Sequence, residues 1–127
     1  MKVPNDVLSV DREAFLPESQ QGRIVLAKFF RAVGDPNRLA LVNFLSREEH
    51  TATECVEFLG LAQSRVSSHL ACLVTCGLIS LRRQGRFAYY RVTDSRVLEL
   101  VGLGAGVAAD NAESVAACTR IPTPSAL

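Results

Sequence analysis

The chain lacks any long apolar run: none of its 127 residues fall in a stretch approaching the roughly 18 apolar residues that a membrane crossing needs. Histidine is scarce, with only His50 and His69, and neither has partners at metal-ligand spacing, so a histidine-built zinc centre is not expected. There is no Cys-x-x-Cys, no βαβ pattern, and no Ser/His/Asp or paired-carboxylate constellation. These absences argue against a thiol oxidoreductase or hydrolase, and the expectation is a non-enzyme with no small-molecule substrate. Asp11, Arg12 and Glu13 bring charge back before any signal-like apolar run develops, so a cytoplasmic protein without membrane attachment is expected. In that reducing compartment the four cysteines, Cys55, Cys72, Cys76 and Cys118, serve as buried apolar residues, reactive thiols or metal ligands rather than as a disulfide framework.

What is present suits one globular domain, with 48% hydrophobic and 21% charged residues. The charge is unevenly placed. From Ala62 to Val92 there are five arginines (Arg65, Arg82, Arg83, Arg86 and Arg91) and no acid, which is +5 in a chain of net +1 and leaves −4 for the rest. A local positive segment in an acidic remainder is the electrostatic footprint of a small DNA reader, and its plainer alternative is a solvated basic face.

Residues 1–22, with Pro4 and Pro17, read as an arm carrying a short helix near Asp11–Phe15. Periodicity predicts a helix from Arg23 to Val33 that buries Ile24, Leu26, Ala27, Phe30 and Val33 and stops at Gly34. Asp35-Pro36 is an N-cap followed by a proline tolerated at the first helical position, so Pro36–Ser46 is helical and buries Leu39, Val42 and Leu45. A polar loop follows. Thr51-Ala52-Thr53-Glu54 is a capping box for a short helix that ends at Leu59 with Gly60 as its stop, and Cys55 falls on its buried side with Phe58 and Leu59.

The next helix, Gln63–Cys76, is closed by Gly77; it is polar in its first turns and apolar at Val66, Leu70, Leu73 and Val74. Two short helices joined by a glycine turn make a helix-turn-helix whose second member enters the major groove. Ile79–Arg83 and Phe87–Val92 then form a hairpin about Gln84-Gly85, a wing with Arg83 and Arg86 at its tip. Ser95–Ala117 is helical despite Gly102, Gly104 and Gly106, and Leu98, Val101, Ala105 and Ala108 form a stripe that reads as a dimer contact. The expected fold is mainly α with a β-hairpin wing (α+β), a homodimeric winged helix-turn-helix over residues 23–117, with a flexible tail at 118–127.

Cys72 and Cys76 lie four residues apart in the reading helix, which puts their sulfurs on one face with Cβ atoms about 5–6 Å apart, close enough to share one soft metal ion. The same pair also suits a thiol redox sensor, although adjacent helical turns hold cysteines poorly for an unstrained disulfide.

The runs Phe29-Phe30-Arg31-Ala32-Val33-Gly34-Asp35-Pro36-Asn37-Arg38-Leu39, Gln63 to Leu70, Gln84-Gly85-Arg86 and Tyr89-Tyr90 resemble the ArsR/SmtB family of metal-sensing winged-helix repressors, over roughly Arg23 to Ala109. The resemblance implies a homodimer that binds double-stranded operator DNA when metal-free and releases it when metal binds. It implies that Ser64, Arg65, Ser67 and Ser68, with Gln63 beside them, face the major groove, while Arg83, Gln84 and Arg86 of the wing reach phosphates or the minor groove. Ala62 departs from the family pattern, in which many members carry a capping serine there.

Two of the family's metal sites cannot be built here. Thr51 and Thr53 stand where one site has thiols, and Arg96 and Val107 stand beside Asp94 and Asp110 where another needs His/Asp ligands. The remaining arrangement is similar to the family's actinobacterial cadmium/lead sensors, in which two reading-helix cysteines are joined by one from the C-terminal region. That likeness implies a site of Cys72, Cys76 and Cys118. Three thiolates form a soft site that suits Cd(II), Pb(II), Hg(II) or As(III), and of these the likeness to the cadmium/lead sensors implies Cd(II) or Pb(II). Cys118 precedes Pro122 and Pro124, so metal capture would order this tail against the reading helix, in cis or across the dimer.

Overall fold

The computed structural model describes residues 18–123, so the short helix expected near Asp11–Phe15 lies outside the described residues, as does Pro124. The chain divides into two units, residues 1–32 and 33–127. All but the last residue of α1 (Gln20–Val33) belongs to the first unit, and the helix starts three residues before the expected Arg23 because the Ser19 hydroxyl accepts the Gly22 N–H at 2.8 Å. Its expected buried face is not buried in the single chain: Ile24, Ala27 and Phe30 are exposed, Leu26 and Val33 are half-buried, and Ala32 is covered instead. An apolar period marks a face that suits a partner, and it does not say whether the same chain supplies one.

The second unit holds α2 (Pro36–Arg47), β1 (His50–Thr51), α3 (Ala52–Leu59), α4 (Gln63–Thr75), β2 (Ser80–Gln84), β3 (Phe87–Arg91), α5 (Ser95–Asp110) and α6 (Ala112–Ala117). This is the mainly helical fold with a hairpin wing that the sequence implies. The Asp35 carboxylate caps α2 by accepting the N–H groups of Asn37 (2.9 Å) and Arg38 (3.0 Å), and Pro36 occupies the first turn. The buried stripe of α2 is Leu41, Val42 and Leu45; Leu39, expected in the core, is exposed, because the pair four residues apart at 41 and 45 sets the inward direction.

At α3 both halves of the capping box are made, with Thr51 Oγ1 accepting the Glu54 N–H at 3.2 Å and Glu54 Oε1 accepting the Thr51 N–H at 2.9 Å. Gly60 ends this helix at φ +68°, a left-handed conformation that costs a residue with a Cβ far more than it costs glycine. Cys55 is fully buried, as expected, while Phe58 is exposed, its ring stacked on Phe44 at 4.1 Å between centroids.

Val66, Leu70 and Leu73 of α4 complete the core with Leu78, Ile79, Val92 and Val97. The helix ends at Thr75, one residue short of the expected end, and Cys76 takes the C-cap position with its N–H on the Cys72 carbonyl at 3.0 Å. The Leu73 carbonyl accepts both Leu78 N–H (2.9 Å) and Ile79 N–H (3.3 Å), which fixes the exit toward the wing.

The wing hairpin pairs Gln84 with Phe87, so its two-residue turn is Gly85-Arg86, not the expected Gln84-Gly85. Gly85 has φ +61° and supplies the positive angle at the first turn position. A third strand was not foreseen: β1 pairs antiparallel with β3 (His50 with Tyr90, Thr51 with Tyr89), giving the order β1-β3-β2. The Val92 N–H on the Leu45 carbonyl at 3.0 Å ties the sheet to α2. The single helix expected over Ser95–Ala117 is interrupted at Asn111, whose Nδ2 donates to the Val107 carbonyl at 2.8 Å and competes with the helical ladder. No described helix is long and apolar enough to cross a membrane.

Candidate nucleic-acid interface and thiol site

Because α4 turns Val66, Leu70 and Leu73 inward, its remaining positions face out: Gln63, Ser64, Arg65, Ser67 and Ser68 are all exposed. No side chain caps the start of α4 at Ala62. The first N–H groups there carry the positive end of the helix dipole, an arrangement that suits an anion such as a phosphate. Ser64, Arg65, Ser68 and His69 line a concavity of about 250 Å³ on this face.

His69, which has no partners at metal-ligand spacing, belongs to this face. Its Nδ1 lies 3.2 Å from Arg38 Nη1. A guanidinium only donates, so Nδ1 accepts and the ring proton sits on Nε2. Burial pushes the His69 pKa down, with Arg38 and Arg65 adding to that effect and Asp35 opposing it. Arg38 is 31 residues away in sequence, so no local pattern announces the contact.

In the wing, Arg83, Gln84 and Arg86 are exposed, with Arg86 in the turn itself. Arg82 differs from them: it is paired with Glu49 at 2.6 Å and lies over the Tyr89 ring at 4.6 Å. The sequence count of five arginines treats all as equal, whereas the fold neutralises this one.

Cys72 and Cys76 sit at the end of α4, both half-buried, one helical turn apart and within reach of solvent. Cys118 is half-buried at the end of α6 and borders a cavity of about 720 Å³ with Asp35, Pro36, Leu39, Val115 and Ile121. Among the described residues no three His, Cys, Asp or Glu side chains come together to hold a metal ion, so a single chain does not bring Cys118 to the α4 pair. Cys72 and Cys76, four residues apart at the end of α4, offer a soft donor set of two sulfurs, which fits a thiophilic cation. Cys55 stands apart: burial, with Glu54 beside it, pushes its thiol pKa up to about 11, as befits a core residue.

A helix-turn-helix with an exposed polar reading face, followed by an arginine-tipped wing, defines a DNA-binding regulator. The family described as bacterial regulatory protein, arsR family matches residues 35–80. The probable mercury resistance operon repressor of Streptomyces lividans is 54% identical over 96 residues, covering 76% of this chain and 77% of that protein. The HTH-type transcriptional regulator CmtR of Mycobacterium tuberculosis is 35% identical over 77 residues, covering 61% of this chain and 65% of its own length. In solved structures, the homodimeric winged helix-turn-helix DNA-binding domain of a possible ArsR-family regulator from Mycobacterium bovis superposes with a TM-score of 0.65 at 27% identity, covering 80% of this chain and 88% of that one. The chain belongs to the ArsR family of bacterial regulators.

Proposed function

We propose that the protein is a homodimeric transcriptional repressor that holds operator DNA when metal-free and lets go when a thiophilic ion occupies Cys72 and Cys76. The observation that carries this reading is that one helix holds both parts. The first turns of α4 expose Gln63, Ser64, Arg65, Ser67 and Ser68, and its last turn and C-cap carry the two half-buried thiols of Cys72 and Cys76. The likeness to a mercury resistance repressor and to a homodimeric DNA-binding domain supports it.

Hg(II), an alternative when the sequence is read alone, moves ahead of Cd(II) and Pb(II). Two thiolates are a sufficient ligand set for Hg(II), and the end of α4 carries two cysteine thiols four residues apart. Cd(II) or Pb(II) requires Cys118 as well, from the same chain or its partner. Cys72 and Cys76 would hold the ion as thiolates, and its Lewis acidity would displace their thiol protons.

The chain's own contribution is the turn that carries the sulfurs. Leu73 lies between them, fully buried, and its carbonyl accepts the two N–H groups that lead into the wing. A restraint on Cys72 and Cys76 therefore acts where the reading helix joins the wing. A coupling of about 1–3 kcal/mol between that turn and the DNA weakens operator binding about 5–150-fold.

The test is a titration of reduced protein with Hg(II), Cd(II), Pb(II) and As(III), following thiolate-to-metal absorption alongside release of a labelled operator duplex. Cys72→Ser and Cys76→Ser are expected to keep DNA binding and lose release, and Arg65→Ala to weaken binding at every metal level. Cys118→Ser is expected to spare the Hg(II) response and abolish any response to Cd(II) or Pb(II). Normal release by Cys72→Ser protein with all four ions would sink the proposal.

A further inference from the structure

By charge alone Arg82 would count as one more phosphate contact in the basic segment. Its guanidinium is directed elsewhere. Nε donates to Glu49 Oε2 at 3.2 Å, Nη2 to Glu49 Oε1 at 2.6 Å, and Nη1 to Gln84 Oε1 at 2.6 Å, while the guanidinium carbon stands 4.6 Å from the Tyr89 ring centroid. The two bonds to one carboxylate use the fork that only arginine has. Glu49 immediately precedes β1, Tyr89 lies on the central strand β3, and Arg82 and Gln84 lie on β2. One side chain thus spans the three-stranded sheet and ties the wing to the segment that leads into the helix-turn-helix.

The bond to Gln84 has a chemical consequence. A guanidinium has no acceptor, so Gln84 must give it the amide oxygen, and this leaves both amide N–H groups for an outside partner. DNA beside a wing offers acceptors: phosphate oxygens and, in A·T minor grooves, only the adenine N3 and thymine O2 atoms. Building on the reading that the wing faces DNA, we infer that Arg82 is a positioning residue, held by Glu49 and Tyr89, which presents Gln84 to DNA as a hydrogen-bond donor.

The sign of one substitution separates this role from simple charge. Removing the Glu49 carboxylate from a basic face tightens DNA binding if charge alone counts. If Glu49 holds Arg82, and Arg82 holds Gln84, the same change weakens it. The experiment uses full-length reduced protein and a labelled duplex selected by the wild-type protein from a randomised pool, read by fluorescence anisotropy. Glu49→Gln and Arg82→Lys are each expected to weaken binding about 3–10-fold, and to weaken it no further in a Gln84→Ala background, as coupled residues should.

Tighter binding by Glu49→Gln, unchanged binding by Arg82→Lys, or an equal loss in the Gln84→Ala background overturns the inference. If that happens while Arg83→Ala, Arg86→Ala and Gln84→Ala each still cost affinity, the wing reading survives and only the role of Arg82 fails. If none of those three changes costs affinity, the wing is not on DNA, and the reading and the inference fall together.

Discussion

α4 and α5 are amphipathic helices of similar length, 13 and 16 residues, with opposite fates. In α4 the apolar stripe is closed, with Val66 and Leu73 at 0% exposure and Leu70 at 1%. In α5 only Val97 of the first turn is buried and Leu100 and Val101 are half-buried, while Leu103 and Val107 stand 73% and 67% exposed. A buried leucine contributes about 1.5–3 kcal/mol relative to an exposed one, so the chain holds its reading helix in place by itself and leaves α5 short of that stabilisation. The sharpest way to break this contrast is truncation. Leu73→Ala should cost about 2–5 kcal/mol in urea or thermal unfolding, with DNA binding lost at every metal level, because the cavity opens under the turn that joins α4 to the wing. Leu103→Ala should stay within about 0.5 kcal/mol at a protein concentration where chains are single. Comparable losses at the two positions would erase the distinction.

The next effect in size tests what covers α5. If a second copy does, Leu103→Lys with Val107→Lys should give a folded, helical monomer by sedimentation and circular dichroism. Its operator affinity should fall on the order of 10²-fold, because two linked reading heads become two separate ones. A doubly substituted protein that still sediments as a dimer would remove α5 from the interface.

Legibility in the sequence follows the same division. The caps at Asp35 and Thr51, the stops at Gly60 and Gly77 and the inward stripe of α4 depend on residues within four positions of one another, and local spacing predicts all of them. Contacts over longer separations did not announce themselves. β1 has only two residues, too few for an alternating pattern, and Arg82 finds Glu49 across 33 positions and His69 finds Arg38 across 31. Gly102, Gly104 and Gly106 lower helix propensity, yet α5 runs through all three, each with nothing within 4 Å of an added Cβ. The exposed polar face of α4 and the helical spacing of Cys72 and Cys76 are legible because each lies within a few turns of one helix. A place for Cys118 was not, since nothing local to it says which chain or element it meets.

The smallest expected effect concerns how α3, which packs beneath the reading helix, is held at its start. Hydrogen bonds from the Thr51 N–H and then from His50 hold the Glu54 carboxyl below the usual carboxylate range. A group whose folded pKa is depressed contributes stability that is present above its unfolded value, about 4.3 for glutamate, and that is lost as pH falls through the folded value. Glu54→Gln keeps an acceptor for the Thr51 N–H but removes the charge. Wild type should therefore melt slightly above the variant at neutral pH, and the two curves of melting temperature against pH should converge on the acid side of the carboxylate range. The dimer constant of the two proteins should be equal throughout, because α3 acts on the closed half of the molecule and not on the open face of α5. A gap that stays constant into acid would mean that Glu54 acts through its shape and not its charge, and an altered dimer constant would mean that the two regions are coupled.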